Sequence, residues 1–410
     1  MNDSTFASAA PGLGSLGMGI ETSPRSGNPL LRIAAALWRR DIAFARHGWQ
    51  QTALILSALG ALALWLLPQP VVTNLPAMLQ TESVRVFYMV DDVPLSQVPA
   101  SFAALLVAIA IGRALFVIAV GLLDMLTYKR LTGRPFDWES MINVSLINAF
   151  LMFAGVFVLA NDALRPLLGY YDRLLASVPT LVDLNGAVAL IAAALIGDFC
   201  FYWSHRFFHG NRFFWNLGHI HHHRNRNLTQ LTCAIEPPFK LLQAAGGLSL
   251  LLLPLLSKLF TTDIAGAGIA LIILMLMDTW TDPSHSTFMY WLESKSRALR
   301  SLRMLFVTVG VHFMHHSRDN HGPAGIGCNF GARLTIWDRL FGTYVEPPDA
   351  IPATGLFDPH ADTCVNPLRY LLLPFARMGL ELKRNRLRHW PKIVFGPMGY
   401  EPPNPVAMSH

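Results

Sequence analysis

Histidine is the residue whose spacing in this chain most directly implies chemistry. Eleven of the 15 histidines lie between His205 and His321, mostly as an HxxxH pair, two HxxHH triplets and one isolated residue. These groups are His205 and His209; His219, His222 and His223; His285; and His312, His315 and His316. Because neutral imidazoles are good ligands for iron, zinc and copper, the pattern predicts a mononuclear or binuclear metal site.

Helical geometry brings the members of each group together. Residues three and four positions apart share a helix face, so the pair and each triplet are expected to project to one side. A single HxxxH spacing arises freely by chance and from core packing, whereas a pair and two triplets in one chain indicate a constructed site. His221 points about 200° away from His219 on the same helix. We therefore expect His221 beside the ligands or at the surface, not bound to metal.

Other kinds of metal protein fit the sequence less well. The four cysteines are scattered and form no CxxC pair, which argues against a thiolate site or an iron–sulfur cluster. The HExxH motif is absent and no carboxylate lies inside a triplet, which argues against a membrane zinc hydrolase. A metal transport or storage protein is the main alternative to an enzyme. In such a protein the histidines should line the membrane spans, whereas these lie at predicted span ends.

The elements that must position these histidines are predicted to be membrane helices. Hydrophobic residues make up 52% of the chain and charged residues 14%, which favours an all-α polytopic membrane protein with a cytoplasmic helical cap. The alternative is a soluble protein with six buried helices. The six apolar segments are 52–67, 102–123, 144–160, 184–203, 241–256 and 264–277. Some are shorter than the ~20 residues of a usual span, so re-entrant insertion is an alternative for them.

The positions of Lys and Arg predict the topology. Basic residues cluster before the first apolar segment and after the second, fourth and sixth, and the alternate loops contain few of them. By the positive-inside bias, both termini and the basic loops are cytoplasmic, so every histidine group lies at the cytoplasmic membrane face. This topology and attraction to anionic lipid account for the net charge of +6, and we expect no nucleic-acid partner.

The chain divides into four predicted parts. Residues 1–30 form a disordered leader without the apolar core of a cleavable signal peptide, and residues 31–95 hold the first span and an extracytoplasmic loop. Residues 96–345 form the histidine-bearing domain. Residues 346–410 form a cytoplasmic tail in which 368–390 alternates apolar and basic residues. We expect a helix there, lying at the membrane interface or docked on its own domain.

Four stretches resemble the fatty acid hydroxylase and sterol desaturase superfamily of integral-membrane di-iron oxygenases. They are DFCFYWSHRFFH (198–209), WNLGHIHHHRNRN (215–227), PSHS around His285, and HFMHHSRDNHGPAGIGCNFGARLTIWDRLFGTY (312–344). The last stretch is the most specific, and the resemblance covers about residues 95–345. The sequence departs from the fatty acid 2-hydroxylase branch, which has a histidine pair where this chain has only His285.

The resemblance implies which residues form the site. Its iron ligands would be His205, His209, His219, His222, His223, His285, His312, His315 and His316. His321 is implied as a tenth ligand or a residue that supports one, and Asn329 as a residue that orients a ligand or a metal-bound water. Asp198, on the helix face of His205, is expected to accept a hydrogen bond from a ligand's other ring nitrogen. A capping or interhelical contact is the alternative for Asp198, and no catalytic residue separate from the ligands is expected.

The resemblance also implies a reaction and its partners. A di-iron (2 Fe) cofactor with O2 as co-substrate would hydroxylate or desaturate a membrane lipid, such as a sterol or an acyl chain, at the cytoplasmic face. No reductase motif is present, so electrons are expected from a separate ferredoxin or cytochrome with its reductase. Arginines near the histidines are candidates for docking an acidic donor or for contacting lipid headgroups. They are Arg206, Arg212, Arg224, Arg226 and Arg318.

Overall fold

The computed structural model describes much of the histidine-bearing domain and of the tail, and these parts are helical. The described residues are 83–85, 97–136, 165–184, 186–230, 252, 255–256, 258–260, 284–319, 322, 325–356 and 367–406. The helices are α1 (Ala100–Thr132), α2 (Arg165–Ser177), α3 (Gly186–Gly210), α4 (Arg212–Phe214), α5 (Ile220–His223), α6 (Thr287–Lys295), α7 (Arg297–Ser301), α8 (Val309–His315), α9 (Ile336–Leu340), α10 (Pro367–Arg384) and α11 (Trp390–Phe395). A π-helical turn covers Trp215–His219, and 3-10 turns cover Leu302–Met304 and Leu387–His389. The prediction of a helical fold is confirmed for this part of the chain.

A short antiparallel ladder departs from the all-helical prediction. Strand β1 (Ser83–Arg85) pairs with β2 (Gln97–Pro99), and Val84 lies opposite Val98. Valine favours extended backbone because its branched side chain fits a pleated surface. Helix α1 begins at the residue after β2, so the ladder holds the extended chain where it enters this helix.

Two of the six predicted spans coincide with described helices. Segment 102–123 lies within α1, and segment 184–203 overlaps α3. Both helices expose large apolar side chains: Leu115, Ile118, Leu122 and Leu126 on α1, and Val188, Ile191 and Leu195 on α3. Within the described ranges, no helix combines the length and apolar character required to cross a membrane. Segments 52–67, 144–160 and 264–277, and most of 241–256, lie outside the described residues.

A buried carboxylate joins α1 to the segments beside two histidine groups. Asp124 accepts hydrogen bonds from the backbone N–H groups of Gln230 and Phe288, each at 2.9 Å, and from the Ser286 hydroxyl at 2.7 Å. Burial raises the pKa of Asp124, and the three donors oppose that rise. The Gln230 side chain in turn accepts from the N–H of His285 at 3.4 Å. One carboxylate therefore fixes the position of the segment that carries His285.

A buried ion pair holds the N-terminus of α8, the helix of the last histidine triplet. Glu293 accepts from the N–H of Gly310 at 2.9 Å, from the Thr308 hydroxyl at 2.8 Å and from Arg303 Nε at 2.5 Å. The Thr308 side chain makes no cap to this helix, so Glu293 supplies the acceptor and the negative charge that a helix N-terminus favours. A Cβ on Gly310 would lie 2.6 Å from Glu293 Oε1, which explains the glycine.

The C-terminal tail packs directly against the segment that follows α3. The Arg212 guanidinium forms a buried ion pair with Glu381 of α10 at 2.7 Å and donates to the Ile393 carbonyl at 3.1 Å. The Met398 N–H donates to the His209 carbonyl at 3.1 Å. A buried charge is tolerated when it is paired and hydrogen-bonded, as Arg212 is here. The tail helix was predicted to lie at the membrane interface or to dock on its own domain. These contacts of α10 agree with docking on its own domain.

Candidate metal centre

The turn after α3 brings the second histidine group back onto the first pair. Asn211 begins α4, and its side-chain oxygen accepts from two following backbone N–H groups at 3.1 and 3.3 Å. The π-helical turn and α5 follow without interruption. Such turns are rare and occur often at functional sites. As a result, His219 Nε2 lies 3.0 Å from His205 Nε2 and 2.9 Å from His209 Nε2.

The structure brings together all nine histidines implied as ligands, in two groups. Within each group, one ring nitrogen of every member lies within 4.8 Å of those of the others. The first group is His205, His209, His219, His223 and His315, and the second group is His222, His285, His312 and His316. The rings of His223 and His316 lie 4.3 Å apart between centroids. The two groups therefore adjoin, as the halves of a binuclear site would.

Each HxxHH triplet is divided between the groups. Its first and last members stay together: His219 with His223, and His312 with His316. The middle members cross over, because His222 joins the second group and His315 joins the first. Positions i+3 and i+4 point about 100° apart on a helix, so adjacent histidines can face different sites. The single shared face predicted from the spacing is thus split between two sites.

The distances between ring nitrogens match those of ligands around one metal ion. In the second group, His312 Nε2 lies 2.9 Å from His285 Nε2 and 3.0 Å from His316 Nε2. In the first group, His223 Nε2 lies 3.2 Å from His219 Nε2. With metal–nitrogen bonds of about 2.1 Å, two ligands at a right angle lie about 3.0 Å apart. The donor set and its spacing therefore fit a metal ion in each group.

Two backbone carbonyls determine which ring nitrogen faces the first group. His315 Nδ1 lies 2.8 Å from the Cys328 carbonyl, and His205 Nδ1 lies 2.9 Å from the Phe330 carbonyl. A carbonyl only accepts, so each Nδ1 carries the proton and each Nε2 keeps its lone pair. His315 Nε2 is buried and has no hydrogen-bond partner in the structure. A buried lone pair without a donor is what a metal ligand requires.

Asn329 shapes the loop that presents these carbonyls. It is fully buried and is the only non-glycine residue with positive φ (55°) among the described residues. Its Nδ2 donates to the carbonyls of Val311 at 3.1 Å and Val345 at 2.9 Å, and its Oδ1 accepts from the Val345 N–H at 2.8 Å. The side chain is thus fully used by backbone groups. Asn329 therefore acts on the histidines through the neighbouring carbonyls, not by direct contact with a metal-bound water.

Asp338 is a buried residue whose role was not predicted from the sequence. One of its carboxylate oxygens accepts from the N–H of Phe330 at 2.7 Å and the Thr343 hydroxyl at 2.7 Å, and the other from the N–H of Gly331 at 2.8 Å. It therefore fixes the far end of the carbonyl-bearing loop. Its only sequence signal is its place in IWDRLFGTY, where nothing distinguishes a buried acceptor from an exposed helix-start residue.

Asp198 was expected to accept a hydrogen bond from a ligand histidine, but its carboxylate has other partners. Its carboxylate accepts from the backbone N–H groups of Arg333 at 3.0 Å and Leu334 at 3.2 Å, and from the Trp337 indole N–H at 3.0 Å. Asp198 precedes His205 by seven residues, which is about 10 Å along the helix axis, so the two side chains share a helix face without touching. The alternative role, an interhelical contact, is correct, because Asp198 fastens α3 to the segment that leads into α9.

Two further histidines have different outcomes. His221 is buried, with 6% of its surface exposed, and belongs to neither group. The expectation that it avoids the metal groups agrees with this placement, but the alternative of a surface position is wrong. Its neighbours Ile220, His223 and Arg224 are buried as well, so this segment lies inside the fold. His321, implied as a tenth ligand or a supporting residue, lies outside the described residues.

Five of the grouped histidines are held neutral. Burial, followed by the repulsion of neighbouring imidazoles, lowers the pKa well below the ordinary value for these five: His209, His219, His223, His315 and His316. Neutral imidazole is the form that binds a metal. The site therefore keeps its lone pairs available at neutral pH without a metal to displace protons.

These lowered pKa values predict how the metal-free protein responds to acid. Each such histidine takes up a proton only on unfolding, so its contribution to stability is present above about pH 6.5 and is lost as pH falls below it. Each contributes a slope of up to about 1.4 kcal/mol per pH unit. We expect the melting temperature of the metal-free protein to fall steeply between pH 7 and 5.5. A flat profile over this range would contradict neutral, buried histidines.

The arginines proposed for donor docking are not all available at the surface. Arg212 is paired with Glu381 in the interior, and Arg224 is 2% exposed. Arg206 and Arg226 are partly buried, with Arg206 donating to the Tyr202 hydroxyl at 3.0 Å. Only Arg318 of the five is exposed, and it is paired with Asp319 at 2.9 Å. The expectation is therefore wrong for Arg212 and Arg224, because packing of the histidine segment buries them.

Comparison with known proteins finds similarity over the part of the chain that carries the histidine groups. Residues 190–343 match the sequence model of the fatty acid hydroxylase family. "Protein CER1-like 2" of Arabidopsis thaliana is 26% identical over 169 residues, which are 41% of this chain and 25% of that protein. "Alkylglycerol monooxygenase" of Danio rerio is 25% identical over 179 residues, which are 43% of this chain and 35% of that protein.

The matched region contains all nine grouped histidines. The matches span only about a quarter and a third of the two relatives. No solved structure matches the chain. The histidine pattern, the family match and both relatives agree, and together they support a fatty acid hydroxylase domain over residues 190–343.

Proposed function

We propose that the protein is a membrane-bound di-iron oxygenase that hydroxylates or desaturates a lipid. The observation that carries this proposal is the pair of adjoining histidine groups inside a fatty acid hydroxylase domain. All nine donors are imidazole ring nitrogens, and their spacing fits one ion per group. The first group would hold one iron through five histidines, and the second group would hold the other through four.

Two bound irons would supply the oxidising power that an unactivated C–H bond requires. Such a bond has no acidic proton and no leaving group, so acid–base side chains cannot cleave it. With O2 and two external electrons, one oxygen atom enters the substrate and the other leaves as water; in desaturation both leave as water. The protein's own contribution is to orient the histidines through the Cys328 and Phe330 carbonyls and to bury them from water.

A lipid substrate is supported by the surface of the domain and by its relatives. Helices α1 and α3 expose rows of large apolar side chains, which suit contact with lipid acyl chains. Helix α3 runs from this apolar surface to the first histidine pair. The name of the Danio rerio relative describes a monooxygenase of an alkylglycerol, which is a lipid. We accordingly propose an integral membrane protein with the histidine groups and both termini on the cytoplasmic side.

Metal content and product analysis test this function together. The purified protein is expected to contain about two irons per chain. Lipids from cells that express it should include a species heavier by one oxygen, or lighter by two hydrogens, that is absent without the gene. Zinc in place of iron, with no iron-dependent oxygen consumption, would rule out the oxygenase and favour metal transport or storage.

A further inference from the structure

The tail carries a cationic surface that has no role in the centre described above. This C-terminal basic surface consists of Lys383, Arg384, Arg386, Arg388 and Lys392, all exposed. The sequence contains no acidic residue from 382 to 400. In the part of the chain that the structure describes, none of the five forms an ion pair. The surface therefore offers five uncompensated positive charges.

Large apolar side chains lie among these charges. Leu387 is 71% exposed, Phe395 61% and Trp390 40%. An apolar centre with a charged rim is the usual composition of a protein–protein interface, and Trp and Arg are enriched there. A solvated surface with no partner would not need three such side chains within nine residues. The composition thus points to a partner that combines negative charge with apolar contact.

The setting of Trp390 favours a protein partner over a lipid surface. Its indole N–H donates to the carbonyls of Leu382 at 2.9 Å and Asn385 at 3.2 Å. A tryptophan that anchors a protein at the membrane interface usually keeps this N–H for the hydrated headgroup layer. Here the N–H is used inside the protein to fix the corner between α10 and α11. The surface is consequently a preformed, folded corner, unlike a long amphipathic helix lying on a bilayer.

The same corner is joined to the backbone of the first histidine group. The Ile393 carbonyl accepts from the Arg212 guanidinium at 3.1 Å, and the Gly396 carbonyl accepts from the Arg212 N–H at 2.8 Å. The Met398 N–H donates to the carbonyl of His209, a member of the first group. A partner bound at this corner would thus contact a segment that is hydrogen-bonded to the backbone of His209.

We propose that the C-terminal basic surface docks an acidic one-electron carrier protein that reduces the metal centre. This inference rests on the proposed oxygenase function, because only an oxidising metal centre needs such a donor. In each transfer the reduced carrier loses one electron and one ferric iron becomes ferrous. Two transfers supply the two electrons that each turnover consumes. Charge complementarity explains the choice of an acidic carrier.

A pair of charge reversals tests this surface in the full-length protein. Binding of two oxidised acidic donors, a [2Fe–2S] ferredoxin and cytochrome b5, is measured against ionic strength, in nanodiscs of neutral lipid. The R386E/R388E variant should bind the donor that the wild type binds at least about tenfold more weakly at low salt, because steering charges change association by about 10- to 1000-fold. Reduction of the bound iron by that donor should slow in parallel, while reduction by dithionite stays unchanged.

Matched variants separate local charge from net charge. K129E/R130E makes the same change of four charge units at exposed residues of α1, and R386K/R388K keeps the charge at the surface. Both should bind like the wild type. Equal weakening in the two charge-reversal variants would overturn the proposal. The proposal would also be overturned if the wild-type protein bound neither donor. A third contrary result is an R386E/R388E variant that binds the donor like the wild type but associates more weakly with anionic vesicles. That result would identify the surface as a lipid-binding one.

Failure of the oxygenase function is recognised separately. A protein without iron, or one that forms no product when dithionite supplies the electrons, would contradict the proposed function itself. Binding of an oxidised donor does not require iron, so the comparison of the variants is read out independently. Donor binding that depends on Arg386 and Arg388 supports the surface, and product formation with dithionite supports the chemistry.

Discussion

Replacing His315 or His222 by alanine is expected to abolish catalysis and to remove iron. His315 belongs to the first group and His222 to the second, so each substitution opens a different half of the centre. Loss of residues that merely support metal ligands costs about 10- to 100-fold in affinity or activity, and loss of a ligand should cost more than that. Iron, measured by elemental analysis, should fall from about two atoms per chain to about one or fewer.

His221 provides the matched control for this experiment. It lies on the same helix as His222 and is more deeply buried than His222, but it belongs to neither group. His221→Ala removes the same atoms and creates a comparable cavity, so it reports the cost of packing alone. Iron content and product formation should stay close to the wild type. If His221→Ala loses as much iron as His222→Ala, the division into ligand and non-ligand positions is incorrect.

The convergence of the nine histidines was predicted from the sequence by two arguments, helical spacing within each group and the resemblance to the family. Helical spacing determines which side each group faces, and the predicted topology puts every group at the same end of its helices. The departure of His221 from the metal groups follows from the same 3.6-residue period.

The division of the triplets was not predictable in the same way. The side chains at positions i+3 and i+4 of any helix point about 100° apart. Whether they enter one metal site or two depends on how many sites lie beside that helix. His222 meets His285 and two histidines of the last triplet, and His315 meets the histidines of α3 and of the first triplet, so each partner set is distant in the chain. The supporting residues Asn329 and Asp338 raise the same difficulty, because their partners are backbone groups of a loop whose path depends on the finished fold.

The tail shows how burial can reverse an inference from composition. Arg212 belongs to a basic, histidine-rich stretch, and its charge suggested an exposed docking residue. In the fold it is neutralised by Glu381, which lies 169 residues later in the tail. The tail thus removes one cation from the surface of the histidine segment and supplies others nearby. Charge in the sequence does not show which arginines remain at the surface, and the long-range ion pair shows that Arg212 does not.

Replacing Asn329 by glycine or alanine is expected to destabilise the protein and to release iron faster. Either change removes three buried hydrogen bonds and leaves backbone groups of Val311 and Val345 unpaired. An unpaired buried polar group costs about 1–3 kcal/mol, so the total loss should reach about 3–5 kcal/mol. The carbonyls of Cys328 and Phe330 then lose their fixed direction. Iron release to a chelator, followed well below the melting temperature, should accelerate in both variants.

The comparison between the two substitutions separates side-chain bonding from backbone conformation. Glycine adopts a φ of 55° without strain, whereas alanine pays about 1–2 kcal/mol there. Stability should therefore fall in the order wild type, Asn329→Gly, Asn329→Ala, as measured by thermal melting of the iron-free proteins. Iron release should follow the same order if the loop acts by aiming its two carbonyls. Release at the wild-type rate from a destabilised variant would show that Asn329 stabilises the fold without orienting His205 and His315.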